Sequence, residues 1–388
     1  MIYALRDAYR AEAPPTTAKQ LRETLMESVA DHMIADVPVA VALSGGLDSS
    51  IVAFAAAEVH PDLDAFTFTL SGEKDPEVEH AALLCRQLGL RHRVARLVPN
   101  ETSGWLRRVA WHMEEPIANV NALVSYGLGA VLRQHRYKVV MVGEGSDELF
   151  GGYPWYRLAL DPSLLSREAV FDAYRKRRAQ SRSSSFLRPQ AVATAERRAA
   201  EQRAAFARVA SASRLGGFLA YDQETQLQYS QLLRVDRMFM AHGVEARVPF
   251  LYRPVLQASA GIPPSGMFAP PDAGGRTEKV ALAEAFAGLL PAEVVSRPKF
   301  GEQGTVNIWD TWLAAALTDD LDRCLHGAEL RGARQLLEEF IDWKALAAGQ
   351  LSPKERFAVS LLIESVDAVM LSREAPDGDS PVKWEVLG

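Results

Sequence analysis

Apolar positions recur along this chain in two rhythms. Leu21, Leu25, Val29 and Met33, joined by Met26, repeat at helical spacing, and Thr17 with Gln20 three residues on reads as a capping box that opens the helix. Asp36 and Pro38 end it. Val39-Ala40-Val41-Ala42-Leu43 then runs apolar almost without a break, as a strand buried on both faces does. The alternation continues. A helix from Ser49 to about Val59 leads to a strand Ala65–Leu70, and a helix from Pro76 to about Leu88, closed by Gly89, leads to a weaker strand Arg93–Val98. Helical stretches near 102–113 and 122–134 precede a strand Lys138–Val142. This order predicts an α/β fold, a parallel sheet with helices on both faces. From about Pro154 strand signals vanish and Ala, Leu, Arg and Glu dominate. The chain therefore divides into an α/β core over 37–155 and a mainly helical part over 156–388.

Composition narrows the class. With 388 residues, the chain buries a core without disulfide or metal staples, and 48% hydrophobic with 24% charged residues excludes disorder. A net charge of −6 excludes a wholesale basic nucleic-acid binder. Cys85 and Cys324 stand far apart with no CxxC pair, which excludes a disulfide framework and a thiolate zinc site. No apolar run reaches the ~18–20 residues of a membrane span. The N-terminus, Met1-Ile2-Tyr3-Ala4-Leu5-Arg6-Asp7, meets charge too early for a secretory signal, so neither a membrane nor a nucleic acid is expected as partner and the cytoplasm is the expected location. Between Arg175 and Arg203 nine Lys/Arg face only Glu196 and Glu201. That segment reads as a solvated helical pair around a Ser-rich turn, and in second place as a docking surface for an anionic partner; no aromatic residues interleave the charges to stack on bases.

Two loops carry chemistry. Ser44-Gly45-Gly46-Leu47-Asp48-Ser49-Ser50 leaves an apolar strand and opens a helix, the place where open parallel sheets bind ligands. Gly45 and Gly46 admit a phosphate close to the backbone, the helix N-terminus offers unpaired N–H groups, and Ser44, Ser49 and Ser50 add hydroxyl donors. Asp48 would repel phosphate unless a cation lies between them, which implies Mg²⁺. The loop is not a Walker A, since it lacks GxxxxGK[ST]. The second loop, Gly143-Glu144-Gly145-Ser146-Asp147-Glu148-Leu149-Phe150-Gly151-Gly152-Tyr153, follows the strand Lys138–Val142 and so should lie at the same sheet edge. Three carboxylates in a glycine-rich turn are a poor choice for stability, and such local inconsistency marks a functional site.

Together these loops resemble the synthetase domain of the asparagine synthetases, within the N-type ATP pyrophosphatases of adenine nucleotide alpha-hydrolase-like fold. Glu114-Glu115-Pro116, Arg237 through Gly243-Val244-Glu245-Ala246-Arg247-Val248-Pro249-Phe250-Leu251, Glu278-Lys279 and Arg297-Pro298-Lys299 resemble further stretches of that family, in order, from about Leu21 to Gly304. The resemblance implies one synthetase domain over 1–388, whose helical part completes the active site, and an ATP- and Mg²⁺-dependent ligase. A carboxylate attacks the α-phosphate of ATP, giving an acyl-adenylate and pyrophosphate, and ammonia or an amine then releases AMP. Asp48 and Asp147 match the family's magnesium-pyrophosphate carboxylates, Glu144 its base, Lys299 the cation at the acyl centre and Lys279 a phosphate partner. Glu115 either shapes the acceptor pocket or holds a helix end, and Arg247 is expected to pair with Glu245.

Departures from the family bear on the substrate. The glutamine-dependent members carry an N-terminal glutaminase with a cysteine after the initiator methionine. Here residue 2 is Ile2 and roughly forty residues precede the first loop, so nitrogen is expected as free ammonia, from a separate protein, or as another amine. Pro249-Phe250-Leu251-Tyr252 replaces Pro-Phe-Leu-Asp, Val280-Ala281-Leu282-Ala283 lacks the arginine that follows the lysine, and Glu114-Glu115-Pro116 replaces Asp-Glu-Pro. β-Lactam synthetases and lasso-peptide cyclases use the same machinery on other carboxylates, but the β-lactam branch alters the GEGSDE stretch. The intact Glu144 favours ammonia or an amine over ring closure. The expectation is a tailoring ligase of specialised biosynthesis, such as antibiotic biosynthesis, ahead of a free-ammonia asparagine synthetase. A catalytically silent partner subunit is the reading from another class, and a tRNA-modifying pyrophosphatase lacks its reactive cysteines.

Overall fold

In the computed structural model the alternating segments build a six-stranded sheet in the order β5-β4-β1-β2-β3-β6. The structure describes residues 14–69, 75–97, 105–116, 119–179, 185–209, 211, 213–270, 272, 274–298, 321–327, 330–348, 351–371 and 384–387. Strands β1 (Val39–Ala42), β2 (Asp64–Thr69), β3 (Arg91–Leu97) and β4 (Val139–Met141) fall where the apolar runs place them. β1 lies parallel between β2 and β4, with Val39 opposite Val139 and Val41 opposite Met141. The chain thus winds outward through β2 and β3 and returns to the other side of β1. That reversal opens a crevice at the carboxyl ends of β1 and β4.

Alternate residues of these strands feed two cores. Val41, Ala65 and Met141 pack with Leu21, Leu25, Val29 and Ile51 on one face, and Ala40, Phe66 and Val140 pack with Leu128, Leu132, Val235 and Phe239 on the other. The first face is covered by helices Ala18–His32 and Leu47–Val59, the second by Asn121–Gln134 and Leu233–Met240. Both faces being covered explains the continuous apolar strands. The Thr17–Gln20 capping box forms, and Gly89 caps Pro76–Leu88 in the left-handed conformation. The helix after β1 begins at Leu47, two residues before its expected start, because Gly46 is its N-cap.

The expectation that strands end near Pro154 is corrected. β5 (Glu245–Arg247) pairs parallel with β4, and β6 (Trp384–Leu387) pairs antiparallel with β3. β5 escaped notice because three residues, two of them charged, print no period, and charge on a sheet edge discourages pairing with another chain. Arg247 does pair with Glu245, at 2.8 Å, and also donates to the carbonyls of His32 (2.6 Å) and Ile34 (2.8 Å). The basic segment forms helices Arg167–Ala179 and Pro189–Arg208, joined by the Phe171–Phe206 ring contact at 5.3 Å, with Arg203 paired to Asp172 on the exposed side. The expected turn at Ser181–Ser185 lies, except for Ser185, outside the described residues. Both cysteines are buried, and burial pushes the Cys85 thiol up to about 12. Among the described residues no helix is long and apolar enough to cross a membrane.

Candidate active site

β1 delivers the chain into Ser44-Gly45-Gly46 and directly into the helix Leu47–Val59. The turn is tied by its own hydroxyls: the Ser44 amide donates to Ser49 Oγ (3.1 Å), which donates to the Gly46 carbonyl (3.3 Å). Ser44 is exposed at the rim, Ser49 and Ser50 are buried, and Ser50 Oγ has no hydrogen-bond partner among the described residues. Asp48 stands in the first helical turn.

β4 ends one strand away, and its exit is held by β5 through the Val142 amide on the Arg247 carbonyl (2.9 Å). The two loops then touch. A Cβ on Gly143 would come 2.9 Å from the Ser49 amide nitrogen and 3.1 Å from Asp48 Cβ, so only glycine allows this approach. Ser146 Oγ donates to Asp48 Oδ1 (2.8 Å).

Lys279 closes the arrangement from a third segment. Its Nζ lies 2.5 Å from Asp48 Oδ2 and 2.6 Å from Asp147 Oδ1, and the residue is 2% exposed. Burial alone would lower its pKa, but the carboxylates of Asp147 and Asp48 outweigh it and hold the ammonium above its ordinary value. The Lys279 backbone has φ 56°, left-handed for a residue with a side chain, and Gly152 leaves room beside it. A Cβ at position 152 would lie 1.8 Å from Asp147 Oδ1 and 2.3 Å from Lys279 Cε. Arg297 braces the first loop by donating to the Gly45 carbonyl (2.9 Å), with His80 Nδ1 3.1 Å from its other nitrogen. Half-buried Arg276 donates to the carbonyls of Val295 (2.7 Å) and Val294 (3.1 Å) and feels the charge of Asp48.

Glu144 is gripped by Arg234, Nη2 to Oε1 at 2.7 Å. Arg234 is 4% exposed and also donates to Ser125 Oγ (2.7 Å) and Gln231 Oε1 (3.1 Å), while Glu144 keeps 32% exposure and so faces the open side. Arg234 follows a ten-residue π-helical stretch, Gln223–Leu232, and π-helical turns gather at functional sites. Gln223 of that stretch donates to the Glu148 carbonyl (2.9 Å). Glu148 itself is 1% exposed and accepts from Tyr153 Oη (3.0 Å). Burial, then the charges of Asp147 and Glu144, push its pKa up to about 8.

Ser44, Gly45, Gly46, Asp48, Ser49, Glu144, Asp147 and Lys279 therefore lie in segments that meet at one end of the sheet, while Ser50 is fully buried. Glu115 is exposed beyond the helix Trp105–Met113 and makes no hydrogen bond or ion pair among the described residues, while Glu114 pairs with Arg237 (3.1 Å). Lys299 lies outside the described residues. Arg234 and Arg276 went unnoticed in the sequence, although Arg234 sits one helical turn before the noted Arg237. Tyr252, where the resemblance expected Asp, points its hydroxyl at Asp31 (2.9 Å).

A cation fits between Asp48 and Asp147, since both carboxylates already converge on one ammonium. Among the described residues no group of three metal-ligating side chains exists. Two carboxylates that leave the remaining positions to phosphate oxygens and water suit Mg²⁺.

A profile of the asparagine synthase family matches residues 20–361. Asparagine synthetase [glutamine-hydrolyzing] 1 of Bacillus subtilis is 30% identical over 322 residues, 75% of this chain and 50% of that protein. Asparagine synthetase B [glutamine-hydrolyzing] of Escherichia coli is 28% identical over 314 residues, 77% of this chain and 46% of its own. The chain spans about half the length of these curated relatives. Among solved structures, an NH3-dependent NAD synthetase from Campylobacter jejuni overlaps 35% of this chain and 60% of its own, at 18% identity and a TM-score of 0.25.

Proposed function

The chain belongs to the asparagine synthase family, and from that premise we propose that it is an ATP-dependent, AMP- and pyrophosphate-forming amide ligase. The observation that carries the reading is the convergence of Asp48, Asp147 and Lys279 over the amino end of one helix, at the reversal of strand order. In this reading Ser44, Gly45, Gly46 and the amides of the first helical turn bind the departing pyrophosphate, and Arg297 keeps the loop in shape through the Gly45 carbonyl. Asp48 and Asp147 would hold Mg²⁺, which when bound neutralises phosphate charge. The substrate carboxylate bonds to the α-phosphorus as pyrophosphate leaves. The nitrogen then bonds to the acyl carbon, loses a proton and expels AMP. Glu144, half open to the crevice and aimed by Arg234, takes that proton. Lys299 keeps the role its resemblance implies, support of the negative charge that builds on the acyl oxygen.

We further propose a carboxylate other than aspartate, placing the enzyme among tailoring ligases. At the position where relatives bear an arginine after the lysine, Ala283 packs against the main core and offers no cation. Tyr252, by contrast, faces Asp31 rather than the loops, and so carries no weight on the acceptor. The test incubates purified protein with MgATP, ammonium and aspartate and measures AMP, pyrophosphate and asparagine, with Asp48→Ala beside it. Magnesium-dependent ATP binding without aspartate-dependent AMP is expected. Asparagine formed at enzymatic rates and lost in Asp48→Ala would replace the tailoring reading with a free-ammonia asparagine synthetase. ATP binding untouched by Asp48→Ala would sink the ligase assignment itself.

A further inference from the structure

We propose that Lys279 is a resident counter-cation which bars free divalent metal from the site, so that the metal enters only together with a polyphosphate. The inference rests on the reading of Asp48 and Asp147 as metal ligands and goes beyond it to the order of binding.

The geometry leaves one place for two cations. Nζ is 2.5 Å from Asp48 Oδ2 and 2.6 Å from Asp147 Oδ1, and Mg²⁺ needs oxygens at about 2.1 Å. An ion bound to both carboxylates would take the position the ammonium holds, so Lys279 must withdraw first. It has little reason to do so alone. The side chain is buried, its backbone is held in the left-handed region, and its Cε runs so near Gly152 that a Cβ there would lie 2.3 Å away. An ammonium that left these carboxylates without a new anion would be a buried, unpaired charge.

A bare divalent ion makes this worse. It adds two positive charges beside Lys279, and Arg276 already senses Asp48, Asp147 and Arg297. Pyrophosphate or the ATP triphosphate reverses the balance. Its oxygens offer Lys279 a replacement partner and offer the metal its remaining ligands. Glu278 provides no alternative anion, because it lies by Arg157 (4.0 Å) and accepts from Thr277 Oγ1 (2.9 Å).

Thermal unfolding of the full chain reads the proposal, with MnCl₂ alone, pyrophosphate alone and the two together. Wild type should be unmoved by Mn²⁺ alone and rise by several degrees with Mn²⁺ and pyrophosphate. Lys279→Met should rise with Mn²⁺ alone, at a midpoint concentration about tenfold or more below that of any wild-type response. Adding Asp48→Asn to Lys279→Met should remove that rise. Wild type stabilised by Mn²⁺ alone as readily as Lys279→Met overturns the proposal. Persistence of the rise in the double variant overturns it in a different way, by showing that Asp48 is not a ligand. No response of wild type to Mn²⁺ with pyrophosphate overturns the underlying site reading. Should Lys279→Met fail to fold, the wild-type comparison of Mn²⁺ with and without pyrophosphate decides alone.

Discussion

Arg234→Met separates the two halves of the proposed reaction. The methionine stem keeps most of the packing and removes a guanidinium that is 4% exposed and bonded to Glu144, Ser125 and Gln231. Breaking a buried ion pair costs about 3–5 kcal/mol. Glu144 retains 32% exposure, so water recovers part of its loss and the lower end, about 3 kcal/mol, applies. Denaturant unfolding of wild type, Arg234→Met, Glu144→Gln and the double variant should give a coupling energy of about 1–3 kcal/mol. Kinetics supply the sharper reading. Adenylation, followed as carboxylate-dependent exchange of pyrophosphate into ATP, depends on the first loop and should stay within about threefold. Amide formation depends on Glu144 and should fall by about 10²-fold. Equal losses in both half-reactions, or a coupling energy near zero, would refute the argument that Arg234 aims the base.

Gly152→Ala places a methyl on Asp147 Oδ1 and Lys279 Cε; it should cost about 3 kcal/mol or more and abolish MgATP binding, and a variant that binds as wild type does would contradict the close approach. Glu148 has a folded pKa of about 8 against an ordinary 4.5, so the folded protein holds a proton that the unfolded chain releases between those values. Stability should therefore fall as pH rises from about 4.5 to about 8, and Glu148→Gln, neutral throughout, should flatten that fall; unfolding midpoints at several pH values compare the two slopes. Tyr252→Phe loses one exposed hydrogen bond to Asp31 and should change stability by less than about 0.5 kcal/mol, with AMP formation unchanged in a steady-state assay.

The fold was legible where burial leaves a mark on residue type. β1 and β4 are covered on both faces and print unbroken apolar runs, and the loops that follow them carry glycines and acids that no stable turn would choose. β5 was illegible because an edge strand of Glu245, Ala246 and Arg247 is held by backbone pairing and by Arg247 reaching the His32 and Ile34 carbonyls. Lys279 was legible as a residue of the site, but its position on Asp48 and Asp147 was not, since spacing along a chain says nothing about which of several anions a lysine meets. The Arg234–Glu144 pair joins positions 90 apart across a π-helical stretch, whose altered turn spoils the periodicity that would have revealed its face. At Glu114-Glu115 the motif does not say which carboxylate meets a cation: the chain turns at Glu114, where φ is 56°, and Arg237 takes that side chain.

The span of the Lys279 contact has a consequence for biosynthesis. Asp48 and its ammonium partner are separated by 231 residues. At about 5–20 residues per second, a ribosome needs roughly 10–50 s between them. In the later part of that interval, once Asp147 has been made, the loops after β1 and β4 can meet while no lysine stands between their carboxylates. The nascent chain then presents an open acidic pair, a brief chelator for the divalent ions around the ribosome, until the emerging helix Val280–Ala285 draws Lys279 into place.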